Sequence, residues 1–67
     1  MRIWLNDRPI DLLTGMTVRQ ALIRADLLTL VSKGARVYDE WDNEMGLDGA
    51  LLEGMRLRIK GPHKVND

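Results

Sequence analysis

Met55-Arg56-Leu57-Arg58-Ile59-Lys60 alternates without a break, with Met55, Leu57 and Ile59 apolar and Arg56, Arg58 and Lys60 basic. Side chains on a strand point to opposite faces with period two, so this reads as a half-buried strand with a wholly basic outer face. Glu53-Gly54 precedes it and Gly61-Pro62 follows it, and both pairs are turn or stop signals. The strand is expected at the centre of a small sheet, with its apolar side on the core.

Working outward, the N-terminal Met1-Arg2-Ile3-Trp4-Leu5 repeats the pattern, with Met1, Ile3 and Leu5 alternating with Arg2 and Trp4. Asn6-Asp7-Arg8-Pro9 reads as a turn, and Ile10-Asp11-Leu12 resumes the alternation, which predicts an antiparallel hairpin. Thr17 is a candidate N-cap and Gln20, three residues on, completes a capping box. Val18, Ala21, Leu22 and Ala25 then recur at helical spacing. Two endings fit this helix. It stops near Asp26, which opposes the helix dipole at that position, with Leu27 to Ser32 irregular or forming a second short turn, or it runs to Lys33 with Gly34 as its cap. The poor placement of Asp26 favours the break.

Ala35-Arg36-Val37-Tyr38 reads as a third strand. Asp39 to Gly46 is expected as an acidic connection turning at Asp42-Asn43, with Trp41 lying over a core edge and Leu47 and Leu51 plugging the loop beyond. The fold class is therefore α+β. The expected order is β-β-α-β-β, a mixed sheet in which the first and last strands run parallel side by side and cover one helix. Residues 1–61 form the domain, and Pro62 to Asp67, which carry no pattern, are expected as a flexible tail.

The totals narrow the function classes. A chain of 67 residues makes one thin-cored domain, since at that size only about 60% of the unfolded surface is buried. It has no Cys, which removes disulfides and thiolate metal sites. Ten basic residues balance ten acidic ones, which argues against a general nucleic-acid binder. No apolar run approaches the roughly 18 residues of a membrane helix and no leader pattern opens the chain, so a cytoplasmic location without membrane contact is expected. The charges are segregated: Asp39, Glu40, Asp42, Glu44, Asp48 and Glu53 precede Arg56, Arg58, Lys60 and Lys64.

Taken together, the order and the motifs resemble the β-grasp, or ubiquitin-like, superfamily. Within it the chain is similar to the small sulfur-carrier proteins of thiamine and molybdopterin synthesis and to TGS-type modules. The residues that carry the resemblance are Ile3 to Leu12, Gly15-Met16-Thr17-Val18, Ala21-Leu22, and Leu51-Leu52-Glu53-Gly54 leading into Met55 to Ile59. A sulfur carrier implies a C-terminal Gly-Gly whose carboxylate is activated. Here only Gly61 matches, and Pro62 stiffens the backbone where the family is flexible. The carrier role thus requires processing after Gly61, and Gly61-Pro62 otherwise reads as a strand terminator. Plant-type ferredoxins, also β-grasp proteins, need four Cys ligands that this chain lacks.

The candidate site is the outer sheet face. If the first and last strands are neighbours, Arg2 and Trp4 lie beside Arg56, Arg58 and Lys60, with Arg36 or Tyr38 joining from the third strand. An exposed Trp among Arg residues is the composition of protein interface hot spots, so a protein partner is expected. The same face also fits a Trp lid shielded by Arg stems. RNA stacking has a weak basis in one exposed Trp on this face, one Tyr and a neutral chain. The acidic run does not match calcium-loop offsets, so a solvated loop is expected and no metal. His63 lies in the tail with no fixed neighbour to orient it, and there is no phosphate-binding Gly loop, so neither catalysis nor a cofactor is expected. Association through an outer edge strand remains open.

Overall fold

A computed structural model describes residues 1–61 of the chain. The N-terminal hairpin is built from β1 (Arg2–Leu5) and β2 (Arg8–Asp11), with Leu5 opposite Arg8. Asn6 and Asp7 make its two-residue turn, both at positive φ (51° and 66°). That geometry matches the right-handed twist of paired strands, and Asn and Asp tolerate it better than other side chains. The turn is thus shorter than expected, and Pro9 sits within β2 opposite Trp4. Met1 and Leu12 exchange both hydrogen bonds of their pair (2.7 and 2.8 Å). Since such pairs alternate along an antiparallel ladder, Trp4 and Pro9 fall on a non-bonded step, and Pro9 removes no bond.

Helix α1 (Val18–Arg24) starts as its sequence indicates, with the Gln20 Oε1 accepting the Thr17 N–H at 2.9 Å. Two further N–H groups of its first turn donate to the loop before β5: Val18 to Gly49 O and Arg19 to Leu47 O, at 3.1 and 2.9 Å. Val18, Ala21 and Leu22 are fully buried. The helix ends at Ala25, and Asp26 takes the left-handed conformation (φ 60°). The Leu27 N–H then bonds Leu22 O and the Asp26 N–H bonds Ile23 O. This is a Schellman ending with Asp where Gly is usual. A second helix, α2 (Leu28–Ser32), follows and ends the same way, with Gly34 at φ 108° and bonds from Ala35 to Leu30 O and Gly34 to Val31 O. The break at Asp26 is therefore real, and Gly34 caps a separate helix; the expectation of one helix is corrected to two.

Strand β3 (Arg36–Asp39) pairs antiparallel with β5 (Arg56–Lys60) along its whole length. Strand β4 (Glu44–Met45) pairs with β3 and was not anticipated, so the sheet has five strands in the order β2-β1-β5-β3-β4. β1 and β5 are parallel neighbours, with Trp4 opposite Arg56 and Leu5 opposite Leu57. Backbone bonds run from Trp4 N–H to Met55 O (2.8 Å) and from Asn6 N–H to Leu57 O (3.0 Å). Beyond that point the Asn6 side chain takes over, its Oδ1 accepting the Ile59 N–H at 3.0 Å.

The inner sheet face supplies Ile3, Leu5, Ile10, Val37 and Leu57 to a core closed by Val18, Ala21, Leu22 and Leu51. Trp41 is not over a core edge. It is 72% exposed, in the turn between β3 and β4. The expected flexible tail, Pro62 to Asp67, and His63 within it lie outside the described residues. No helix among the described residues is long and apolar enough to cross a membrane.

Candidate functional site

Period-two alternation delivers the anticipated residues to one surface. Arg2 and Trp4 from β1 and Arg56, Arg58 and Lys60 from β5 all lie opposite the core, joined by Arg36 and Tyr38 from β3. Trp4 is half-buried and the Arg56 guanidinium lies over its ring at 5.2 Å from the centroid. A similar pair stands further along, where the Lys60 ammonium is 4.8 Å from the Tyr38 ring centre. A cation over an aromatic face is held by the ring quadrupole, and the ring in turn is shielded by the stem of the cation.

The face is not the open basic surface its sequence suggests. Arg2 makes a two-pronged contact with Asp11, directly across the hairpin, at 2.8 and 3.2 Å. Arg36 pairs with Glu44 at 2.8 Å. A single Asp42 oxygen accepts from both Arg58 and Lys60, each at 3.1 Å. These contacts set the titration of the acids. The hydrogen bond from Arg2 holds the Asp11 carboxyl below its usual range. That from Lys60, with Arg58 behind it, does the same for Asp42. Glu44 stabilises the Arg36 cation further. The acidic run expected to be a solvated loop thus folds back on the protein's own basic strand.

Asp39 makes that possible. It is buried at the end of β3, and one of its oxygens accepts the N–H groups of Trp41 and Asn43, both at 2.9 Å. The other accepts the Asn43 side-chain amide at 3.2 Å. Those donors, led by the Asn43 backbone, keep the Asp39 carboxyl below its ordinary value. The loop so tied lets Asp42 take a left-handed φ of 66° and reach the face of β5. Reading the acidic run as a solvated loop missed this role of Asp39. The Asp-x-x-x-Asn spacing with a turn between is the signal that could have found it.

Arg56 stands apart from the other cations of the face. None of the ion pairs among the described residues includes Arg56, Asp7 or Glu40. These three, with Trp4, Leu57 and Arg58, line a shallow cleft of about 240 Å³. Gly61, the candidate carrier terminus, is the last described residue and leaves β5 at φ 99°. The processing on which the carrier role depends falls on residues outside those described. Among the described residues no group of three His, Cys, Asp or Glu side chains is gathered as a metal site. No protein-family model matches the chain, and no curated protein or solved structure matches it either.

Proposed function

We propose that the chain is a non-catalytic β-grasp module that docks onto another protein through the outer sheet face centred on Trp4 and Arg56. The observation that carries this reading is the Trp4–Arg56 stack, a half-buried aromatic under a guanidinium that has no acidic partner among the described residues. Because no ion pair among the described residues engages the guanidinium, its N–H groups can meet a partner's carboxylate or carbonyl groups. Trp and Arg dominate the energy of protein interfaces because they combine area with directed hydrogen bonds. The neutralised cations around the stack form a polar rim, which suits a protein partner better than a polyanion. The hairpin, the helical crossover and the parallel β1–β5 pair support the β-grasp part of the reading.

The test is capture of a native partner from the source extract by wild-type protein, Trp4→Ala and Arg56→Glu, with circular dichroism confirming the fold of each. Loss of the captured protein in both variants is expected. Undiminished capture by both would remove this surface from consideration.

A further inference from the structure

The other end of the same face holds a second cleft, of about 300 Å³, lined by Gly34, Arg36, Tyr38, Lys60 and Gly61. Among the described residues its charged lining groups are Arg36 and Lys60, which occupy paired positions of the β3–β5 ladder. The acids that pair with them, Glu44 and Asp42, are not part of the lining. Neither cation is used up by its acid. Arg36 gives Nη1 to Glu44, and a guanidinium has five N–H donors. Lys60 gives one bond to Asp42, and an ammonium has three. Gly34 and Gly61 leave the cleft free of side chains at two positions, and the Tyr38 ring lies under Lys60.

We infer that this cleft binds one phosphoryl group, with Arg36 and Lys60 donating to its oxygens and the Tyr38 ring forming the wall. A phosphomonoester carries about −1.5 to −2 charges at neutral pH, more than either single carboxylate it would displace from Arg36 and Lys60. The planar Arg36 fork suits two oxygens of one phosphate. Asp42 and Glu44 act as internal competitors: Glu44 sits on Arg36, Asp42 is shared between Lys60 and Arg58, and each weakens the pull of its cleft cation on an incoming anion. This site is separate from the Trp4–Arg56 stack and does not depend on a protein partner docking there.

The experiment is a backbone-amide NMR titration with orthophosphate and, separately, with O-phosphotyrosine, each against sodium chloride at matched ionic strength. Saturable shifts are expected at the amides of Gly34, Tyr38, Lys60 and Gly61. Arg36→Ala and Lys60→Ala should each weaken binding about tenfold, the effect of losing a charge-assisted hydrogen bond. Removing an internal competitor should do the opposite, so Asp42→Asn and Glu44→Gln should each tighten binding roughly three- to tenfold. Glu44→Gln leaves the Asp39–Asn43 turn intact, so the test stands even if Asp42→Asn loosens that turn. Tighter binding of phosphotyrosine would identify a phosphomonoester as the ligand, and equal binding the free ion; both support the site. Shifts that chloride reproduces, affinity unchanged in both alanine variants, or no tightening in either acid variant would overturn it.

Discussion

Two cations lie over aromatic rings on the outer face, and their surroundings differ. Arg56 covers Trp4 at 5.2 Å without an acidic partner among the described residues, whereas Lys60 covers Tyr38 at 4.8 Å with Asp42 at 3.1 Å. Both cations come from one strand, two pleats apart, so local sequence cannot distinguish them. The difference originates in the neighbouring hairpins. The β1–β2 turn uses Asn6 to extend the ladder and leaves Asp7 out of the ion pairs. The β3–β4 turn is tied by Asp39 and delivers Asp42 to β5. Alternation along a strand decides which residues share a face; turn chemistry on the adjoining strands decides which of them are available.

Four changes would break or sharpen that contrast, and the largest removes what both ends share. Leu57 is 1% exposed and lies beneath the face. Leu57→Ala should destabilise the protein by about 2–5 kcal/mol, measured by urea unfolding. That is a large share of the stability of so small a domain, so both stacks should be lost together.

Asp39→Ala should act on one end only. It strips the acceptor from the Trp41 and Asn43 amides, so their protection from hydrogen exchange should fall and Asp42 should leave Arg58 and Lys60. The Trp4 and Arg56 resonances should stay in place, and the melting temperature should drop by less than in Leu57→Ala. Equal disturbance at Trp4 and Tyr38 would mean that the two ends are not independent.

Acid should erase the contrast without any mutation. The Asp42 carboxyl is depressed in the folded protein, first by Lys60 and then by Arg58. Its stabilising contribution is therefore complete above the unfolded aspartate value, about pH 4, and is lost as pH falls through the lower folded value. Asp39 and Asp11 are depressed as well and carry the same sign. Melting temperatures should be nearly constant from pH 7 to about pH 5 and fall below about pH 4. Asp42→Asn should remove part of that fall, and Lys60 in this variant should then resemble Arg56 in lacking an acid.

The smallest expected effect comes from Arg56→Ala. An exposed cation–π pair contributes about 0.5–1 kcal/mol, so urea unfolding should shift only slightly. A pronounced loss of stability would instead assign Arg56 a structural duty and weaken its place at the centre of the proposed docking surface.

Much of the architecture was legible from residue patterns. Both central strands, the hairpin and the Thr17–Gln20 start of α1 follow from periodicity and capping, and the parallel pairing of β1 with β5 from the crossover that the helix between them makes. The parts that were not legible lack a period. β4 has two residues, too few to alternate, and α2 has five and buries none of them fully. Pro9 reads as a turn residue until the two-residue turn at Asn6 and Asp7 places it in an edge strand. For the site, the Arg2, Trp4, Arg56, Arg58 and Lys60 face was visible because side-chain direction needs only parity. Its neutralisation was not, because Asp42 reaches Arg58 and Lys60 across 16 and 18 positions of sequence through a left-handed backbone step.

Pro9 has a further consequence for how the molecule meets others. It lies in the strand at one margin of the sheet, on a step where its nitrogen faces away from β1. An added strand there would find a gap in the row of donors it needs. At the opposite margin β4 offers only two residues of ladder, too short a template for stable extension. With both margins poor templates, growth into ribbons by strand addition is disfavoured.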